Sequence, residues 1–193
     1  MTAHPDADDD DLDFTSPAKP SPPPPPEKIA SARKEASTGS PQLAKTGFYV
    51  AMARHAGTRI PPRNGQRHSI FVIEDDKSLA DLVGEVLAKS GFLTRFAKNR
   101  ADINAEFNKA PLPDLVLLDV SLPDADGFQI LERIRGNPKI KSMPVIMMTG
   151  KSEVTDVARG LSLGADGYVT KPFRISGLVQ AVNTVLGIAQ TAG

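Results

Sequence analysis

From residue 68 onward, short apolar runs alternate with stretches in which apolar residues recur every three or four positions. The runs lie at residues 70–73, 92–97, 115–118, 145–148 and 167–170. Short apolar runs are typical of strands, and runs without a polar residue are typical of strands buried on both faces. The periodic stretches between the runs are typical of amphipathic helices. The alternation predicts an α/β fold: a doubly wound five-stranded parallel sheet with helices on both faces.

The first 67 residues have a different composition. They hold 11 of the 17 prolines, including an unbroken run at 22–26, and six aspartates lie between residues 6 and 13. Such a segment buries too little apolar area to offset its ordering entropy. We therefore expect a disordered, Pro-rich and charged extension over residues 1–67, followed by one domain at 68–190. A short apolar cluster at residues 43–53 is either part of this linker or a recognition helix for a partner.

Composition excludes several classes of function. The chain has no cysteine, which removes disulfides, thiolate metal sites and cysteine nucleophiles. Its 23 basic and 23 acidic residues balance, and no apolar stretch approaches the roughly 20 residues of a membrane span. We expect a soluble, cytoplasmic protein.

Polar side chains with complementary chemistry follow the predicted strands. They are Glu74, Asp75 and Asp76 after the first strand, Asp119 after the third, Thr149 after the fourth and Lys171 after the last. Ligands of such sheets bind at the carboxyl ends of the strands. Asp76 is explained as the N-cap of the next helix, but three clustered carboxylates repel one another by about 1–4 kcal/mol per pair. A cation offsets this repulsion, and hard oxygen ligands with open positions suit Mg²⁺.

These residues lie in segments that resemble the receiver domains of two-component response regulators. The resemblance covers residues 68–188 through VIEDD, LLDVSLPDADGF, VIMMTG and GADGYVTKPF. The intervals from Asp75 to Asp119, Thr149 and Lys171 agree with the family pattern. The resemblance implies a flavodoxin-like fold.

It also implies a role for each site residue. Asp119 would be the phosphoacceptor, assisted by Lys171 and Thr149. A cis Lys171–Pro172 bond would aim the lysine, and Thr149 would form a switch pair with Tyr168. Mg²⁺ would be held by Glu74, Asp75, Asp119 and the backbone carbonyl of Ser121. Ser121 and Lys151 would tune the lifetime of the phosphorylated state. Gly127 is either an ordinary turn glycine or the place where a helix begins close to the site.

The predicted function is a phosphoacceptor switch of a two-component phosphorelay. It would receive the phosphoryl group from a sensor histidine kinase or a histidine phosphotransfer protein, and would promote its own phosphotransfer and dephosphorylation without being a turnover enzyme. Only residues 189–193 follow the last predicted helix. We therefore expect no DNA-binding output domain, no direct contact with nucleic acid, and a downstream protein target, with a phosphorylation-dependent dimer as a further option.

Three alternatives stay open at this level. The domain could be a phosphate sink or an intermediate in a relay, or the N-terminal extension could itself be the output element. An aspartyl-phosphate hydrolase is disfavoured, because the sequence Asp119-Val120-Ser121 lacks the second acid that such enzymes use.

Overall fold

The computed structural model describes residues 12–14, 23–52, 59–150 and 153–188. The helices and strands follow in chain order as α1 (Pro26–Thr46), β1 (Phe48–Val50), β2 (Ser69–Ile73), α2 (Lys77–Lys89), β3 (Leu93–Ala97), α3 (Arg100–Phe107), β4 (Leu115–Asp119), α4 (Gly127–Gly136), β5 (Val145–Thr149), α5 (Val154–Leu163), β6 (Gly167–Thr170) and α6 (Ile175–Leu186). Among the described residues, no helix is both long enough and apolar enough to cross a membrane.

The six strands form one sheet in the order β1-β6-β5-β4-β2-β3. The pairs from β6 to β3 are parallel, which confirms the predicted doubly wound arrangement. The sixth strand, β1, was not predicted and pairs antiparallel with β6. The central strands β2, β4 and β5 are buried throughout, as their apolar runs predict.

Helices cover both faces of the sheet. Residues of α2 and α6 pack on one face, and residues of α1, α3, α4 and α5 pack on the other. Side-chain caps start three of these helices, since Asp76, Asn99 and Asp126 each accept a hydrogen bond from a backbone N–H of the first turn. The N-cap role predicted for Asp76 is confirmed, with its carboxylate 3.0 Å from the N–H of Leu79.

The structure corrects the expectation of a disordered extension over residues 26–50. There α1 runs for 21 residues and packs along α5, and β1 joins the sheet. Proline is well tolerated at the start of a helix, so the proline run ends where α1 begins. The composition argument missed the buried stripe of α1, because most of its members are small: Ala32, Ala36, Gly39, Ser40 and Leu43.

Two further parts of the extension contact the domain. Phe14 stacks on Phe107 of α3 with ring centroids 5.0 Å apart, and its N–H donates to Asn104. Nearer the domain, buried Asp114 accepts hydrogen bonds from the backbone N–H groups of Arg63 and Ser69. The expected disorder of residues 1–11, 15–22 and 53–58 lies outside the described residues.

Candidate functional site

Four of the predicted site residues meet at one edge of the sheet. Glu74 follows β2, while Asp119 and Thr149 end the adjacent strands β4 and β5, and Lys171 follows β6. Glu74 and Asp119 are 3% and 4% exposed, whereas Asp75 faces solvent. One carboxylate oxygen from each of these three acids lies within 4.8 Å of the others. The convergence predicted from the strand ends is therefore present.

Lys171 places its ammonium between the two buried carboxylates. Its Nζ donates to Asp119 Oδ2 at 2.7 Å and lies 2.7 Å from Glu74 Oε2. Burial alone would lower the pKa of Lys171, but the hydrogen bond to Asp119 and the charges of the two carboxylates outweigh burial and raise the pKa. Lys171 is therefore a cation at neutral pH.

The single positive charge of Lys171 does not neutralise the three carboxylates of Glu74, Asp75 and Asp119. Burial, with the Asp119 charge adding to it, raises the pKa of Glu74 despite the adjacent Lys171 ammonium. Although Glu74 Oε2 is close to that ammonium, it accepts no hydrogen bond of good geometry from the part of the chain described. A buried carboxylate oxygen that has an ionic contact but no well-oriented hydrogen bond, beside two further carboxylates, fits a hard divalent cation. Glu74, Asp75 and Asp119 are thus a suitable set of ligands for Mg²⁺.

The loop after β4 holds Asp119 in place. The N–H of Ser121 donates to Asp119 Oδ1 at 3.1 Å, and the N–H of Gly127 donates to the carbonyl of Val120 at 2.9 Å. A Cβ atom at Gly127 would lie only 2.2 Å from the carbonyl oxygen of Asp119. Of the two interpretations of Gly127, the structure favours the second: α4 begins against the backbone of Asp119, and only glycine leaves room there.

The two predicted switch residues occupy neighbouring strands. Thr149 is buried, and its carbonyl accepts a 2.7 Å hydrogen bond from the N–H of Lys171. Tyr168 is 1% exposed, and its hydroxyl donates to the carbonyl of Val157 in α5 at 3.0 Å. Burial raises the pKa of Tyr168 well above its usual range, so the phenol stays neutral and keeps this bond.

The remaining predictions have mixed outcomes. The Lys171–Pro172 peptide bond is cis, as predicted. Lys151 lies outside the described residues. Arg159 was missed, because nothing in the local sequence of α5 marks it. Its guanidinium lies 4.1 Å from the centroid of the Phe128 ring and pairs with Asp126, and it lines an open cleft of about 700 Å³ that also includes Ser121 and Thr149.

The doubly wound sheet thus carries buried acids, a lysine and a hydroxyl at the carboxyl ends of its strands, where the ligands of such sheets bind. The family model described as the response regulator receiver domain matches residues 70–183. The chain therefore belongs to the response regulator receiver family, as the resemblance of its motifs predicted.

Curated relatives agree with this assignment. The regulatory protein VanRc of Enterococcus gallinarum is 45% identical over 117 residues, which are 61% of this chain and 49% of that protein. The phosphate regulon transcriptional regulatory protein PhoB of Escherichia coli K12 is 36% identical over 117 residues, covering 61% and 51% of the two chains. The chain thus spans about half the length of the curated relatives it matches.

Solved structures show the same fold. The signal receiver domain of a DNA binding response regulator from Colwellia psychrerythraea matches with a TM-score of 0.58 and 31% identity, over 62% of this chain and 98% of that chain. The chemotaxis protein CheY4 of Vibrio cholerae matches with a TM-score of 0.59 and 25% identity, over 62% and 99%. The flavodoxin-like receiver fold is therefore shown.

Proposed function

We propose that Asp119 accepts a phosphoryl group from a phosphohistidine on a sensor histidine kinase or a histidine phosphotransfer protein, and that residues 68–190 form the unit that does so. The observation that carries this proposal is the position of Asp119. Its carboxylate lies at the carboxyl end of the central strand β4, 2.7 Å from the Lys171 ammonium and beside two further acids. A carboxylate is a weak nucleophile, so it needs an activated phosphoryl group and a site that neutralises charge more than it needs a base.

In the transfer, an oxygen of Asp119 forms a bond to phosphorus as the phosphorus–nitrogen bond of the donor breaks, and the electron pair of that bond leaves with the imidazole. The Lys171 ammonium, already on Asp119 Oδ2, can follow the charge onto a phosphoryl oxygen. The Thr149 hydroxyl can donate to another phosphoryl oxygen. Mg²⁺, when held by Glu74, Asp75, Asp119 and the Ser121 carbonyl, supplies positive charge to the transferring group.

The signal then passes through Thr149 and Tyr168. When the Thr149 hydroxyl moves towards the phosphoryl group, it vacates space on the inner side of β6. The Tyr168 ring occupies that space. This shifts an equilibrium between two arrangements of β6 and its flanking helices. The domain is therefore a switch that promotes its own phosphotransfer and dephosphorylation, with Ser121 and Lys151 setting how readily water attacks.

The output is proposed to be contact with a downstream protein. PhoB carries the name of a transcriptional regulator, but the similarity covers 51% of PhoB, so its transcriptional output is not carried over to this chain. The second candidate function is a phosphate sink or a relay intermediate. Those roles need no surface that changes with phosphorylation. The two candidates differ in whether phosphorylation alters any face remote from Asp119.

The test is labelling by acetyl phosphate with Mg²⁺, followed by intact mass and peptide mapping. Wild-type protein should gain one phosphoryl group on the peptide that contains Asp119, and Asp119→Asn should gain none while keeping its circular dichroism spectrum. Asp81→Asn is the matched control, because Asp81 is an exposed acid on α2 that pairs with a surface lysine. Labelling of Asp119→Asn at the wild-type rate would overturn the assignment.

A further inference from the structure

The N-terminal segment at residues 26–51 covers the two elements that connect Thr149 to Lys171. Helix α1 packs along α5, and β1 pairs with β6 through Phe48↔Val169, Tyr49↔Tyr168 and Val50↔Gly167. The pairing continues at both ends, where the Thr170 N–H donates to Gly47 and the Ala51 N–H donates to Asp166. Strand β6 is thus held on one edge by the site-bearing strand β5 and on the other by the N-terminal segment.

Tyr49 and Tyr168 face each other at the centre of this contact. They are directly opposite in the strand pair, they belong to the same buried cluster, and they are 3% and 1% exposed. Side chains at opposed positions of an antiparallel pair lie on the same face of the sheet. The Tyr168 side chain therefore has a residue of the N-terminal segment beside it on the same face of the sheet, and its hydroxyl reaches α5.

Each tyrosine occupies space that a helical glycine leaves open. A Cβ at Gly160 of α5 would lie 1.8 Å from the Tyr168 hydroxyl, and a Cβ at Gly39 of α1 would lie 2.7 Å from the Tyr49 ring. The Tyr49 hydroxyl donates to Glu35 of α1 at 2.9 Å. The N-terminal segment packs on this face around the buried rings of Tyr49 and Tyr168. Its docking therefore depends on the orientation of these two side chains.

We propose that residues 26–51 are a built-in ligand of the face formed by α5 and β6, which holds Tyr168 in its buried orientation and thereby favours phosphorylation of Asp119. This inference rests on the proposed function, in which the phosphoryl group draws the same ring inward. Without β1, strand β6 would be an open edge beside which the ring could leave the core. With β1 paired, that exit is closed.

The coupling must be reciprocal. A segment that stabilises the buried ring lowers the free energy needed for phosphorylation, and phosphorylation must tighten the docking of the segment by the same factor. The sign is therefore fixed: the segment favours the phosphorylated arrangement and is not displaced by it.

The first measurement uses the wild-type chain and the phosphoryl analogue beryllofluoride with Mg²⁺. Hydrogen exchange of the peptide spanning residues 48–51 should slow when the analogue binds, because the backbone bonds between β1 and β6 open less often. Unchanged or faster exchange there, with the analogue bound, would overturn the coupling. If the wild-type chain binds no analogue and takes no label from acetyl phosphate, the proposed function itself has failed, and this inference with it.

The second measurement uses Ala36→Glu, which places a charge on the buried stripe of α1, and Ala30→Glu, the same change at an exposed position of that helix. Ala36→Glu should bind beryllofluoride about 5-fold more weakly or worse, within the usual range of coupling between sites. Ala30→Glu should match the wild type. Equal affinity in all three proteins, with α1 shown by exchange to be undocked in Ala36→Glu, would refute the inference.

Discussion

Replacing Gly127 with alanine should damage the site through its backbone. The new Cβ would lie 2.2 Å from the carbonyl oxygen of Asp119 and 2.9 Å from Cα of Val120. Ordinary contacts begin near 3.4 Å, so the first distance is about 1.2 Å too short. Because both obstacles are backbone atoms, no side-chain rotation relieves the clash. The start of α4 must retreat from the end of β4.

The magnitude follows from what that retreat breaks. Overpacking of this kind costs about 1–3 kcal/mol. Loss of the hydrogen bond from the Gly127 N–H to Val120 adds about 1 kcal/mol, and the better helix propensity of alanine returns up to about 1 kcal/mol. Gly136→Ala is the matched control, since Gly136 is exposed at the other end of α4 and its Cβ would meet no atom within 4 Å. The unfolding free energies of the two variants should differ by about 2–4 kcal/mol.

Urea unfolding followed by circular dichroism measures this difference, and acetyl phosphate labelling reports on Asp119. Gly127→Ala should unfold at a lower urea concentration and label more slowly, while Gly136→Ala should be as stable as the wild type or more so and label normally. If the two variants unfolded at the same midpoint and labelled equally fast, the proposed contact between α4 and Asp119 would not exist in solution.

Three other changes test the remaining parts of the site. Asp75→Ala should need a higher Mg²⁺ concentration to reach the same labelling rate, because one exposed ligand is lost; a Mg²⁺ titration measures this. Gly160→Ala should destabilise the fold, and Tyr168→Phe in the same chain should restore part of the loss, with a coupling of about 0.5–3 kcal/mol in a double-mutant cycle. Lys171→Met should stop labelling and lower the free energy of unfolding by up to about 3 kcal/mol, because two buried carboxylates lose their cation. The control Lys89→Met breaks an exposed ion pair and should change the free energy of unfolding by less than about 1 kcal/mol.

Each of these has a clear contrary result. An Asp75→Ala protein with the wild-type Mg²⁺ dependence would remove that residue from the metal site. Additive effects of Gly160→Ala and Tyr168→Phe would mean that the hydroxyl does not lie beneath α5. If Lys171→Met were as stable as Lys89→Met, the buried carboxylates would not depend on the ammonium.

The sequence was most informative where local pattern and fold coincide. The strands β2, β4 and β5 are buried on both faces, so their sequences are continuous apolar runs. Because these strands are parallel neighbours, Glu74, Asp119 and Thr149 lie at the same end of the sheet. It was least informative about the N-terminal segment. There, proline and charge pointed to disorder, and the small residues of α1 carry little apolar signal.

The sequence by itself determined the α/β architecture and the identity of the acids, hydroxyl and lysine at the site, because strand burial and spacing are local properties of the chain. The tertiary structure alone decided that Lys171 lies 2.7 Å from both Glu74 and Asp119, and that Gly127 abuts the Asp119 backbone. It also decided the pairing of Tyr49 with Tyr168. That pairing joins residues 119 positions apart in the chain. Its stability comes from surfaces that exist only once α5 and β6 have folded, so no local periodicity can report it.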